Sequence, residues 1–285
     1  MSLTGDVREQ VFVMFNGEGG NGKSVLVDLI LWMMGEYASM APASLVVETG
    51  RSEHPTEIAD LMGRRLVIAS ESNKDVNLRE DQVKRLTGDR RLKGRLMRGD
   101  FFEFDRTHKL VSLVNRLPRV RENSHAMWRR IFVVPFSVVI AEDKKDTGLL
   151  DSLRHEGAGI LNWLIAGCLA WQKGGLAPPE AVQVATRGYR QREDSFGHFL
   201  SDRCELEPIE PGGRAEWFTP WRDIRAAYEA WCASRDRRPE SDSVLQDALE
   251  RKGLMTTTKR VGGVPTKGRL GIALREPEFI DGVTA

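Results

Sequence analysis

Residues Val11 to Gly35 read VFVMFNGEGGNGKSVLVDLILWMMG, and this stretch decides the fold. Five apolar residues, Val11 to Phe15, have the unbroken hydrophobicity of a strand buried on both faces. Four glycines then cluster ahead of a single lysine. Ser24 to Met34 carries helical character until Gly35 stops it. So bare a turn between strand and helix suits a phosphate chain. Gly17, Gly22, Lys23 and Ser24 fit G-x-x-x-x-G-K-[ST], with Gly19, Gly20 and Asn21 completing the loop. Backbone N–H groups of such a loop wrap phosphates, the lysine reaches the terminal phosphate, and the serine hydroxyl takes a Mg²⁺ position. The positive end of the following helix adds to the pull on an anion.

At 285 residues and 41% hydrophobic, the chain is long enough for one large domain, or one domain plus a small module. Its 42 Lys+Arg against 41 Asp+Glu leave a net charge of +1, so any nucleic-acid signal must be local. The three scattered cysteines, Cys168, Cys204 and Cys232, argue against a disulfide framework or a zinc site and for a reducing cytoplasm. The longest apolar stretch, ILNWLIAGCLAW (Ile160 to Trp171), is too short to span a bilayer and reads as a core helix. The opening Met1-Ser2-Leu3 reads as an expression scar, with the natural chain expected to continue upstream.

Further along, RRLVIASE (Arg64 to Glu71), KLVSLVN (Lys109 to Asn115) and WRRIFVVPF (Trp128 to Phe136) are buried-strand runs. A short helix is expected from about Pro55 to Met62, and Asn77 is expected to cap the helix LREDQVKRLTG. RLKGRLMRGDFFEF (Arg91 to Phe104) reads as two short strands joined by a turn at Arg98-Gly99-Asp100. Alternating strands and helices predict a layered α/β domain over residues 1–145. Helical text from Thr147 to Gln172, broken by KGGLAPPE, makes residues 146–192 a connector. Beyond it, three helices (Asp194 to Cys204, Thr219 to Arg235 with Thr219 as cap, Ser241 to Lys252) and a hairpin predict a winged helix-turn-helix over 193–285.

A P-loop needs an acid on a neighbouring strand to organise magnesium and water. Glu71 ends such a strand, and Asn115 ends the next, where its amide could orient an attacking water. Arg129 and Arg130 precede an apolar strand, either one a candidate arginine finger. From Lys84 to Asp100, seven cations face two acids, a surplus suited to phosphate contacts without sequence reading.

GEGGNGKSVLVDLI, RLVIASES, VKRLTGD, KLVSLVNRLP and MWRRIFVVPF occur in the order and spacing of the superfamily 3 helicases. The chain resembles the C-terminal ATPase portion of phage and plasmid primase-helicases, related to the poxvirus type. The resemblance implies an AAA+-like P-loop core followed by a winged helix, with ATP and Mg²⁺ as ligands. It makes Lys23 and Ser24 the nucleotide and metal residues, Glu71 the catalytic acid and second metal residue, and Asn115 the sensor. Arg129 or Arg130 becomes a finger acting across a subunit boundary. Many relatives carry two adjacent acids in the second motif; here Ser70 precedes Glu71. The resemblance also implies a hairpin, carrying Lys93, Arg95 and Arg98, that projects into the channel of a homohexameric ring around single-stranded or fork DNA. The wing, with Lys259, Arg260, Lys267 and Arg269, is the other expected DNA contact, since the third helix begins with acids (SDSVLQDALE). The expected activity is ATP-driven helicase action in phage or mobile-element replication, in the cytoplasm and without a membrane, with a primase often upstream. The rival is a DNA-binding initiator, loader or regulator that uses ATP only as an assembly switch.

Overall fold

The computed structural model describes residues 1–50, 54–72, 76–122, 124–208, 215–235, 237 and 239–275. The chain divides into two compact units, Met1–Arg190 and Gln191–Ala285.

The first unit begins β1 (Phe12–Asn16), α1 (Lys23–Met34), β2 (Ala38–Ala41), α2 (Pro55–Ala59), β3 (Leu66–Ser72) and α3 (Glu80–Gly88). A hairpin follows, β4 (Arg91–Arg95) and β5 (Phe101–Asp105), then β6 (Lys109–Val114), α4 (His125–Trp128) and β7 (Ile131–Pro135). Three further helices complete it: α5 (Leu149–His155), α6 (Gly157–Gly174) and α7 (Glu180–Glu193). Five strands form one parallel sheet in the order β2-β3-β6-β1-β7. Apolar runs such as β6, buried at five of six positions, are what a sheet covered on both faces demands. Phe12, Met14, Val67 and Leu110 pack on one side with Leu86, Trp128 and Tyr189; Val27, Ile68 and Val111 pack in a second cluster with α1. All five carboxyl ends share one edge, where open α/β sheets bind ligands. On the outer edge of β7, the Val133 N–H donates to Thr186 Oγ1 at 3.0 Å, and that hydroxyl donates to Val182 O at 2.7 Å. Thus α7 closes the sheet edge.

The hairpin stands outside the main sheet. It is anchored near its turn end, because Gly94, paired with Phe102, lies against α2: a Cβ there would come within 2.8 Å of the Ala59 backbone. Leu92 and Phe104 are buried, whereas Leu96 and Met97 at the tip are exposed. Arg98 adopts φ +59°, an uncommon left-handed conformation for a side-chain-bearing residue.

The N-terminal segment is tied down by cations: Arg65 donates to Leu3 O at 2.8 Å, Arg106 to Val7 O at 3.2 Å, and Lys109 to Thr4 O. Between Arg106 and Lys109 lies His108, fully buried. Burial first, and the Arg106 charge second, push its pKa down to about 3. The unfolded chain binds that proton near 6.5, so between those values it holds more protons than the native state. Stability is therefore intact above pH 6.5 and falls as pH drops toward 3. At pH 5 the loss from this residue is roughly 2 kcal/mol. Denaturant titrations at pH 7 and 5 check it; a His108→Leu protein is expected to lose that share of the acid sensitivity.

Several sequence expectations need correction. Ile160–Trp171 is not a core helix: Leu161, Trp163, Ile165 and Leu169 of α6 are exposed, and only Cys168 and Trp171 are buried. Helical text from 147 to 172 is two helices separated at Glu156. Asn77 does not cap α3; it donates to Glu48 at 2.9 Å, and Arg79 holds the cap position. The helix expected from Asp194 begins at Ser195, with Asp194 as its cap, accepting from the Gly197 N–H at 3.0 Å.

The second unit holds α8 (Ser195–Arg203), β8 (Cys204–Leu206), β9 (Phe218–Pro220), α9 (Trp221–Ala233) and α10 (Asp242–Arg251). It ends with β10 (Thr256–Val261), β11 (Val264–Leu270) and β12 (Ile272–Leu274). Antiparallel sheets β10-β11-β9 and β12-β8 enclose a core of Phe196, Phe199, Tyr228, Trp231, Leu245 and Ile272. Pro220, not Thr219, is the cap residue of α9, because the Thr219 hydroxyl is committed to Ile272 O at 2.6 Å. The β10–β11 turn is Gly262-Gly263, both at positive φ, as a two-residue hairpin requires. Arg269 is buried, donating to Leu254 O at 2.9 Å and pairing with Glu250 at 3.4 Å, so it is no surface contact for DNA. Lys259 lies over Phe218 at 5.7 Å and donates to Glu216 O, while Arg260 is exposed on β10.

Candidate nucleotide site

The loop between β1 and α1 is shaped by its glycines. Gly20 and Gly22 have φ +67° and +82°, which L side chains rarely adopt. Gly17 is required by proximity, since a Cβ there would lie 2.3 Å from Phe136 O. Gly19 is exposed in open space, and Asn21 closes the loop onto the β7 side by donating to Phe136 O at 3.1 Å. Lys23 opens α1 and is buried, a cost for an ammonium group unless it is well partnered. Its Nζ donates to Gly17 O and to Asn115 Oδ1, the latter at 3.4 Å. Ser24, next in the helix, is exposed.

Asn115 stands just past the end of β6, the strand directly beside β1, and its own carbonyl accepts from Asn16 Nδ2 at 3.2 Å. Sequence motifs 92 residues apart therefore meet in one contact. Glu71 is the penultimate residue of β3, one strand further out, and its side chain lies outside the described residues. Chemically, the loop can cradle phosphates on its N–H groups, Lys23 can meet a terminal phosphate, and Ser24 Oγ can take one metal position. Magnesium bound with phosphates needs only one or two protein oxygens.

Arg129 and Arg130 lie at the other end of β7. Five residues of strand, about 16 Å at ~3.3 Å each, separate them from the P-loop edge. The two differ sharply. Arg130 is buried; its guanidinium donates to Ala126 O and to Gln10 Oε1 at 3.3 Å, and burial followed by the Arg129 charge lowers its pKa. Arg129 is exposed, held by Gln10 Oε1 at 2.6 Å, and lines a cleft of about 280 Å³.

The seven cations of 84–100 do not form one surface. Lys84 on α3 pairs with Glu122 at 2.7 Å and Asp81 at 2.9 Å, and Arg91 sits near Glu103 and Asp105 at 3.5 and 3.6 Å. Toward the hairpin tip, Lys93 and Arg95 both lie 5.2 Å from the Phe101 ring centre, with Arg98 beyond them.

The reading from sequence alone missed α7 and with it Thr186, Arg187, Tyr189 and Arg190. A signal existed: Pro178-Pro179 precede a 3–4 spacing of Val182, Ala185 and Tyr189. Tyr189 sits edge-on to Trp128 at 5.2 Å and donates to Pro118 O.

Residues 15–130 match a family of unknown function, DUF5906. The chain is 27% identical over 219 residues to "Putative helicase L207/L206" of Acanthamoeba polyphaga mimivirus, covering 70% of this chain and 23% of that protein. It is 28% identical over 276 residues to "Putative helicase 022R" of Frog virus 3 (isolate Goorha), covering 88% and 28%. These relatives are viral proteins named as helicases. The chain spans about a quarter of their length. Its fold is similar to the apo structure of the NrS-1 C terminal region (305-718), with a TM-score of 0.58 at 15% identity, covering 93% of this chain and 67% of that one. Among the described residues no helix is long and apolar enough to cross a membrane.

Proposed function

We propose that this chain is the motor portion of an ATP-driven DNA helicase of viral or mobile-element replication. The carrying observation is the contact between Lys23 and Asn115, which joins a phosphate-binding lysine to an amide on the adjacent strand. In this reading the loop N–H groups and Lys23 hold the ATP phosphates, and Ser24 holds Mg²⁺, which supplies charge neutralisation on the phosphoryl oxygens. Asn115 orients the attacking water, and Glu71 accepts its proton. Because Arg129 cannot reach the P-loop of its own copy, it serves a neighbour in a ring of identical subunits, a hexamer. The viral relatives named as helicases support the class of activity.

DNA contacts come from the hairpin and from the second unit, read as a winged helix whose wing is β10–β11 with Lys259, Arg260 and Lys267. Residues 1–145 are the ATPase core, 146–192 its helical connector and 193–285 the DNA-contacting module. A steady-state ATPase assay with and without single-stranded DNA tests this reading. Turnover stimulated by DNA supports a translocase; nucleotide binding without turnover would assign the chain to an ATP-switched loader instead.

The hairpin makes its own prediction. Replacing Arg95 and Arg98 by Ala should weaken single-stranded DNA binding with little dependence on sequence. Each lost phosphate contact should reduce the log–log salt slope by about 0.7. ATPase without DNA should persist. A salt titration indistinguishable from that of the unmodified protein would move the DNA path elsewhere.

A further inference from the structure

The cleft beside Arg129 carries more charge than its own fold explains. It is walled by Trp128 and Phe132 on one side and by Pro178 and Val182 on the other, with Arg187 and Arg190 of α7 at its rim. Arg187 and Arg190 are exposed, and among the described residues neither they nor Arg129 pairs with a carboxylate. Arg190 instead lies 6.0 Å from the Trp128 ring centre. The helix bearing them is fixed, through Thr186 to the edge of β7 and through Tyr189 to Pro118. An apolar bed beside three guanidinium groups, two of them on a fixed helix, suits a partner with an apolar ridge beside a concentrated negative charge, and low polarity strengthens that attraction.

One surface of the same unit has both features. Val138 and Val139 are 74% and 66% exposed. They run beside the phosphate loop, with the Ile140 N–H donating to Gly20 O at 2.8 Å and a Val139 methyl 3.8 Å from where a Gly20 Cβ would stand. With ATP in the loop, this rim presents an apolar ridge next to a polyphosphate. Cleft and rim lie toward opposite ends of β7, so one copy cannot join its own.

We propose that the cleft of one copy receives the P-loop rim of the next, Val138 and Val139 seating on the apolar bed while Arg187 and Arg190 join Arg129 at the neighbour's nucleotide phosphates. This rests on the ATPase reading above and adds to it the docking surface and two further residues acting on the neighbour. The contact is head-to-tail, so it closes into a ring or propagates.

That asymmetry supplies the test. An Arg187→Glu/Arg190→Glu chain has a broken cleft and an intact rim; a Val138→Asp/Val139→Asp chain has the reverse. All four positions are exposed, and thermal melts report whether the fold is retained. Sedimentation with Mg²⁺ and a slowly hydrolysed ATP analogue should find each variant monomeric where the unmodified chain assembles. Their equimolar mixture should form a 1:1 dimer, because a single intact interface remains. With ATP, turnover should fall by ~10³-fold or more in each variant alone, the low end of the range for an arginine that stabilises phosphoryl-transfer charge from a neighbour. It should return in the mixture with one competent site per pair. A mixture that stays monomeric while the unmodified chain assembles overturns the proposal, as does a variant that assembles normally. Loss of single-stranded DNA binding by the arginine variant with assembly retained would assign the cleft to the DNA backbone and also overturn it. ATP turnover by an unmodified chain proven monomeric would remove the ring reading beneath it, before any variant is made.

Discussion

Lys23→Ala protein is expected to lose ATP turnover by at least ~10²-fold, comparable to removal of one preorganised charge-stabilising donor in other active sites. The residue is buried but contributes nothing to the apolar clusters; its Nζ contacts are Gly17 O and Asn115 Oδ1. Removing it leaves two acceptors in a site that water can reach from the loop side, so the thermal midpoint should change little. Steady-state phosphate release, with nucleotide affinity measured separately by a fluorescent analogue, gives the two readouts. Turnover within threefold of the unmodified chain would sink the assignment of this loop. Glu71→Gln is the companion: binding should persist while hydrolysis falls.

The second large effect separates two adjacent arginines that sequence left equivalent. Arg129→Ala should abolish turnover, by about 10³-fold or more, with nucleotide affinity preserved. Its side chain is exposed and, among the described residues, hydrogen-bonds only Gln10, so the fold should stand. Arg130→Ala should instead destabilise the protein by about 1–3 kcal/mol, through lost packing and the unmatched Ala126 carbonyl. Mixing Arg129→Ala with Lys23→Ala protein places an intact loop opposite an intact arginine at some interfaces, and activity should partly return. No recovery in rings demonstrably mixed would count against action on a neighbour. Equal melting midpoints for the two arginine variants would undo the division of roles between them.

Much of the first unit was legible because its signals are local. The runs Val11 to Phe15 and Lys109 to Asn115, read on apolar continuity alone, coincide within one residue with the strands Phe12–Asn16 and Lys109–Val114, and the glycine positions reveal a loop that L residues cannot trace. Strand order was not legible. That β6 rather than β3 lies beside β1, bringing Asn115 and not Glu71 to the adjacent position, depends on crossovers that no local pattern encodes. Charge counting failed for a related reason. Lys84 has a helical neighbour in Asp81, but its other partner Glu122, and Arg91's partners Glu103 and Asp105, lie 12 to 38 residues away. Arg269 shows the same limit in the second unit: a cation in a basic strand was spent inside the fold, on Leu254 and Glu250. Apolarity misled once as well. The composition of α6 promised burial, yet one stripe of it is covered and the opposite face is exposed.

The glycine just below the hairpin turn sets how force can pass through the molecule. With Gly94 lying directly against the Ala59 backbone, the hairpin has no slack where its tip leaves the body. A pull on Met97 or Arg98 therefore acts on a stiff arm whose fulcrum is α2, and the torque reaches the main body through that short helix. Load on the tip would displace the arm and α2 together, and bulk added at the fulcrum would shift the tip while every cation on it remained in place.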